Sequence, residues 1–193
     1  PMLLSLRPLL GLLLSMLLLC AAPSAEALPG LSLNPKLGQQ PATVLNSLIL
    51  EDHDARLSPA QALAQLRTHG ELQQGNPRLG YSDSIWWLAF SVDNLGGDAL
   101  SLVIDNPFVD RAQLWVSVPG TDDSDTLLAG APIGDLQPFS ERAELYPNFI
   151  LPLPAVTAEH FDVLLRVNSS SALNRPLALV SADSSKSLLI FSW

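Results

Sequence analysis

The chain has 193 residues, with 19 Asp and Glu against 10 Lys and Arg and a formal charge of −9. So acidic a composition lacks the basic footprint that a phosphate backbone requires, which excludes nucleic acid as the expected partner. One cysteine excludes an internal disulfide framework and a cysteine-rich zinc site, while 48% hydrophobic residues suit a folded domain.

In chain order, residues 1–27 read as a secretory signal peptide. Arg7 gives the positive flank, Leu9 to Cys20 the apolar run, and Ala25-Glu26-Ala27 a small-x-small cleavage site. The run falls short of the roughly 20 residues of a membrane-crossing helix, and the bulky Leu19 before Cys20 argues against lipidation. The expected product is therefore exported. Residues 28–43 read as a proline-bearing spacer, 44–183 as one β-rich domain and 184–193 as a C-terminal tail. The tail's Leu188 to Phe191 run is too short to cross a bilayer.

Within the domain, Ser58 and Pro59 predict an N-cap and first turn, and Ala60, Leu63, Ala64 and Leu66 continue a helix that stops near Gly70. Later segments alternate with a period of two, the mark of half-buried strands. From Ile85 to Asp93, Trp86, Leu88, Phe90 and Val92 share one face, and Trp87, Ala89, Ser91 and Asp93 the other. Leu95-Gly96-Gly97-Asp98 predicts a hairpin turn into a strand with Leu100, Leu102 and Ile104 inward. From Arg111 to Val118, Ala112, Leu114, Val116 and Val118 point inward, leaving Arg111, Gln113, Trp115 and Ser117 outward. Phe149, Leu151 and Leu153 alternate among prolines that suit an edge strand. Phe161, Val163, Leu165 and Val167 form another inner face, and Leu177 to Val180 a last strand. Short strands at this spacing predict an all-β, antiparallel jelly-roll sandwich with one short helix.

No catalytic pattern stands out. His53, His69 and His160 lack HExxH spacing, and neither GxSxG nor GxxxxGK occurs, so neither an enzyme nor a cofactor is expected. Glu51, Asp52 and Asp54 are expected in a turn before the helix, and Asp122, Asp123 and Asp125 in a loop. Oxygen ligands on loops suit calcium, but neither cluster has the spacing and glycine of an EF-hand, and solvated acidic turns are the expectation.

The functional lead is aromatic. If Leu88, Phe90 and Val92 face the core, Trp87 faces out with Ser91 and Asp93, and Trp115 faces out with Arg111 and Gln113. An indole face beside hydrogen-bonding side chains suits a sugar ring, whose C–H face stacks while its hydroxyls find polar partners. Trp87, Trp115, Arg111 and Tyr81 are the expected ligand contacts. The competing expectations are that loops or the helix cover the indoles, that Arg111 pairs with Asp110 or Asp105, and that Tyr81 anchors a loop.

Three segments in order, LGYSDSIWWLAFSVDN (79–94), IDNPFVDRAQLWV (104–116) and YPNFILPLP (146–154), closed by LLRVNSSSALNRPLALV, carry a resemblance. From about Leu48 to Ser181 the chain resembles the second type of extracellular sensor domain of bacterial seven-transmembrane receptors with diverse intracellular signalling modules. The resemblance implies a carbohydrate-binding-module-like jelly roll in the periplasm that senses carbohydrate-type ligands. In such receptors it precedes seven membrane helices and a cytoplasmic kinase, cyclase or phosphodiesterase. The departure is SADSSKSLLIFSW, which stands where the membrane region follows in the family. The expectation is an input domain without its transmembrane and output parts, whose partner is a saccharide or other small polar ligand. The alternatives are a docking module forming a homodimer or meeting a partner sensor domain, and a truncated receptor remnant.

Overall fold

The computed structural model describes residues 28–33, 41–80, 82–118, 125–134 and 149–181. The expected signal peptide, the C-terminal tail, Tyr81, Asp122 and Asp123 lie outside the described residues. The elements are β1 (Gly30–Leu33), β2 (Ala42–Thr43), β3 (Asn46–Asp52), α1 (Pro59–His69), β4 (Glu71–Gln74), β5 (Ile85–Asn94), β6 (Leu100–Ile104), β7 (Arg111–Val118), β8 (Thr126–Ala129), β9 (Phe149–Pro152), β10 (His160–Asn168) and β11 (Leu177–Ser181).

Among these residues the strands form two sheets. The larger has the order β4-β3-β5-β10-β7-β8, with β1 added parallel to β5, and the smaller the order β2-β11-β6-β9. The other pairs are antiparallel. This is the expected jelly-roll sandwich with one short helix.

The interior follows from the two-residue alternation. Leu88, Phe90 and Val92 of β5, Leu114 and Val116 of β7, and Phe161, Val163 and Leu165 of β10 line the inner face of the larger sheet. Leu102 and Ile104 of β6, Phe149 and Leu151 of β9, and Leu177 and Leu179 of β11 meet them from the smaller sheet. Strand β9 ends its sheet, so Pro152 sits on an edge strand, where a missing N–H is tolerated.

Three expectations are corrected. The Leu95–Asp98 segment does not close a hairpin: β5 pairs with β3 and β10, whereas β6 pairs with β11 and β9, so the chain crosses from one sheet to the other. Alternation looks the same on both sides of such a crossing, and the turn residues do not encode which sheet the next strand joins. Glu51 and Asp52 close a strand, β3, rather than lying in a turn. Residues 28–43 also supply more than a spacer. Gly30 to Leu33 pair with Ser91 to Asn94, and Ala42 and Thr43 pair with Leu179 and Ala178. Strands this short carry too few residues for a period to be read.

Helix α1 starts as its sequence dictates. Ser58 Oγ accepts from the Gln61 N–H at 3.3 Å, and Gln61 Oε1 accepts from the Ser58 N–H at 3.0 Å, a reciprocal capping box with Pro59 in the first turn. Its apolar stripe of Ala62, Leu63 and Leu66 lies on the outer face of the larger sheet, against Leu48, Trp87, Ala89 and Leu164. A second apolar layer thus sits outside the sandwich core. At the helix end a Cβ on Gly70 would stand 2.4 Å from the Leu66 carbonyl oxygen and 3.0 Å from Leu48 Cβ. Gly70→Ala is therefore expected to cost about 1–3 kcal/mol in urea denaturation through overpacking. Gly30→Ala, which meets nothing within 4 Å, is the control expected to leave the midpoint in place.

Candidate functional site

The outer face of the larger sheet has three zones, set by strand register. In the middle, Leu48, Ala89, Leu164 and Trp115 form one row across β3, β5, β10 and β7. Helix α1 covers the part of this row nearest β3 and β5. Toward one end, Trp87, Arg166 and Gln113 form the next row, followed by Asn168 opposite Arg111. Toward the other end lie Ser91, Asp162 and Ser117, then Asp93 opposite His160.

Trp87 lies on the face opposite Leu88, as alternation requires, but that face is not solvent at this point. The side chain is 1% exposed beneath the helix. Its Nε1–H donates to Asp52 Oδ2 at 3.3 Å, and Asp52 also accepts from the Arg56 and Leu57 N–H groups at 3.2 and 3.0 Å. The expectation that Trp87 meets a ligand directly is thereby corrected: the apolar helix stripe needs a partner surface, and the indole provides it. Trp115 is half-buried, its ring 5.7 Å from that of Trp87 at a 39° tilt. It is the indole of the pair that keeps an open surface.

Arg166 completes the platform. Its guanidinium lies 5.9 Å from the centroid of the Trp87 ring, a cation–π arrangement. Burial, and then the charge of Arg111, push Arg166 below the usual arginine value, with Asp52 pulling the other way. Arg111 is exposed at the start of β7. The link to Asp110 weighed from sequence is not what that carboxylate makes, since Asp110 accepts from Ser170 N–H at 2.6 Å and Ser170 Oγ at 3.3 Å. Gln113 donates to the Gly130 carbonyl at 3.1 Å, which fixes its orientation beside Arg166. Sequence reasoning passed over Arg166. The signal was present in the outer positions of β10, where Asp162, Leu164, Arg166 and Asn168 alternate with the core residues.

At the opposite end a cleft of about 240 Å³ is lined by Arg67, Ser91, Asp93, Asp125, His160 and Asp162, among others. Arg67 reaches Asp125 and Asp162, each at 2.6 Å, Ser91 Oγ donates to Asp162, and His160 Nδ1 meets Asp93. Burial works against the Arg67 charge, but hydrogen bonds to Asp162 and Asp125 outweigh it and hold the guanidinium above its usual value. This network ties the end of α1 to β10 and the segment entering β8. Three of the acidic residues singled out in the sequence are thus occupied: Asp125 by Arg67, Asp52 by the turn amides and Trp87, and Glu51 by Ser82 Oγ at 3.1 Å. Among the described residues, no group of three or more His, Cys, Asp or Glu is arranged to hold a metal ion.

Comparison with known proteins defines the class. The family model for the 7TMR-DISM extracellular 2 domain matches residues 46–181, and the chain belongs to this family of extracellular sensor domains. No curated protein matches the chain. One solved structure, from work on the structural basis for the promiscuous specificity of carbohydrate-binding modules of the β-sandwich superfamily, is similar at 9% identity with a TM-score of 0.29. The similarity covers 75% of this chain and 56% of that one. Among the described residues no helix is long and apolar enough to cross a membrane.

Proposed function

We propose that this domain is the non-catalytic, periplasmic ligand-sensing input of a membrane receptor, and that it takes a saccharide or other small polar ligand on the outer face of its larger sheet. The observation that carries the reading is Trp115, a half-exposed indole seated on Trp87 and flanked by Gln113, Arg111 and Arg166, in a chain of the sensor family. Trp115 offers the stacking face and Arg111 a polar contact, Trp87 supports Trp115 from beneath, and Tyr81 is the remaining proposed contact. A ligand here shifts a receptor only by binding one arrangement of the domain more tightly than another.

The test is a thermal-shift screen of the purified protein against mono- and oligosaccharides. A ligand near a hundred times its Kd adds about 2.7 kcal/mol, so a rise of several degrees is expected. Trp115→Ala is expected to abolish that rise while leaving the unliganded protein folded. A specific feature favours a second reading, docking of a protein partner. Leu72, on the edge strand β4, is 57% exposed. No shift with any saccharide, together with concentration-dependent dimerisation lost in Leu72→Ser, would replace the ligand reading with that one.

A further inference from the structure

We infer that the ligand is acidic: a uronate-type sugar whose ring lies on Trp115 and whose carboxylate is held by Arg166 and Arg111. This inference rests on the proposed sugar-sensing role and narrows it to a chemical class.

Arg67 has two carboxylates at 2.6 Å, and Arg56 lies 3.8 Å from Asp54. The exposed Arg78 and Arg175 form no ion pair among the described residues. Arg166 and Arg111 differ from them in lying side by side, with Arg166 half-buried. Among the described residues neither forms an ion pair or a hydrogen bond, and the contact Arg166 does make is with the Trp87 ring.

The two are also neighbours. Arg111 stands opposite Asn168 and Arg166 opposite Gln113, which makes the arginines a diagonal pair on adjacent strands of one face. Diagonal positions lie within reach of each other's long side chains. Like charges so placed repel, and partial burial of a guanidinium is unfavourable unless a counter-charge is supplied. The indole face offsets only part of this. Of the acids on the same sheet face, Asp52 eases the Arg166 charge only in part and forms no ion pair with it, its oxygens being held by two backbone amides and Trp87, and Asp162 lies beyond the apolar row, bound to Arg67 and Ser91.

What remains is a paired cationic site beside an open indole. Planar guanidinium forks match a carboxylate better than they match a hydroxyl. A hexuronate supplies the apolar ring face for Trp115 and the carboxylate in one molecule, whereas a neutral hexose would leave the charges unanswered.

The experiment compares glucuronate and galacturonate with glucose and galactose, and adds glucose 6-phosphate, acetate and inorganic phosphate, in thermal-shift and calorimetric titrations of the purified protein. The expected result is that a uronate binds at least tenfold more tightly than its neutral counterpart, with the surplus shrinking between low and high salt. Arg166→Gln is expected to weaken the uronate by ~10- to 100-fold, the range of a lost charged hydrogen bond, without weakening the neutral sugar. The exposed Arg111→Gln gives the same direction in a variant with little risk to folding. Equal binding of neutral and acidic sugars, or no effect of either substitution, overturns the inference and leaves the sensing role standing. Binding of phosphate or acetate alone as tightly as the uronate reduces the site to an anion site and also overturns it. No binding of any sugar overturns both.

Discussion

Trp87→Ala is expected to destabilise the domain by about 3–5 kcal/mol, the range for truncating a buried aromatic. The indole is 1% exposed between the sheet and the apolar stripe of α1, and its removal leaves a cavity that neither element can fill. It also removes the N–H that donates to Asp52, the ring beneath Arg166 and the support of Trp115. Trp87→Phe keeps much of the packing and loses the hydrogen bond, so a smaller loss of about 1–2 kcal/mol is expected. Urea denaturation of the two variants checks both values. A loss below about 1 kcal/mol for Trp87→Ala would mean that the helix does not press on the sheet as described. The pair of indoles also separates structure from recognition: Trp87→Ala lowers sugar binding through lost stability together with the lost support of Trp115 and Arg166, whereas Trp115→Ala lowers it in a protein that stays folded.

The second large effect is expected at Arg67. With Asp125 and Asp162 each at 2.6 Å, Arg67→Met leaves two carboxylates facing each other in a partly buried setting. Breaking one partner of a buried pair costs about 3–5 kcal/mol. Partial exposure of all three side chains brings the expected loss down to about 2–3 kcal/mol. Arg67→Met combined with Asp162→Asn is expected to recover part of it, because the residual carboxylate pair is gone while Ser91 keeps an acceptor. The measure is a double-mutant cycle in chemical denaturation. Additive losses would show that Arg67 and Asp162 do not communicate.

The long strands were legible because one side of each faces a continuous core. Leu88 to Val92, Leu114 to Val116 and Phe161 to Val167 alternate without interruption, and the helix was framed by Ser58, Pro59 and Gly70. Strands β1, β2, β4 and β8, of four residues or fewer, were not legible, nor was the seven-residue β3, whose Leu48, Ile49 and Leu50 run together without alternation; β9 is as short but is marked by its prolines. Trp87 points outward as alternation requires, yet it is covered rather than exposed, for a reason the residues contain. Ala89 and Leu164, on the supposed polar face, are apolar, and the stripe of Ala62, Leu63 and Leu66 had no surface assigned to it. Put together, they require that the helix sit on that face. Trp115 lies farther from the helix-covered strands and keeps part of its surface. The pairing of Arg111 with Arg166 depended on β7 and β10 lying side by side, and local sequence does not state which distant strands become neighbours.

The crossing at residues 95–98 has a kinetic consequence. Because β5 and β6 part to different sheets, β5 gains its partner β10 only from a segment some seventy residues later, as in Ser91 with Asp162. Contacts so distant along the chain place the domain among slow folders, on the scale of milliseconds to seconds. On the ribosome, β5 and β7 are both made before the strand that joins them. Until residues 160–168 emerge, their facing edges remain open ladders that invite pairing with other nascent chains.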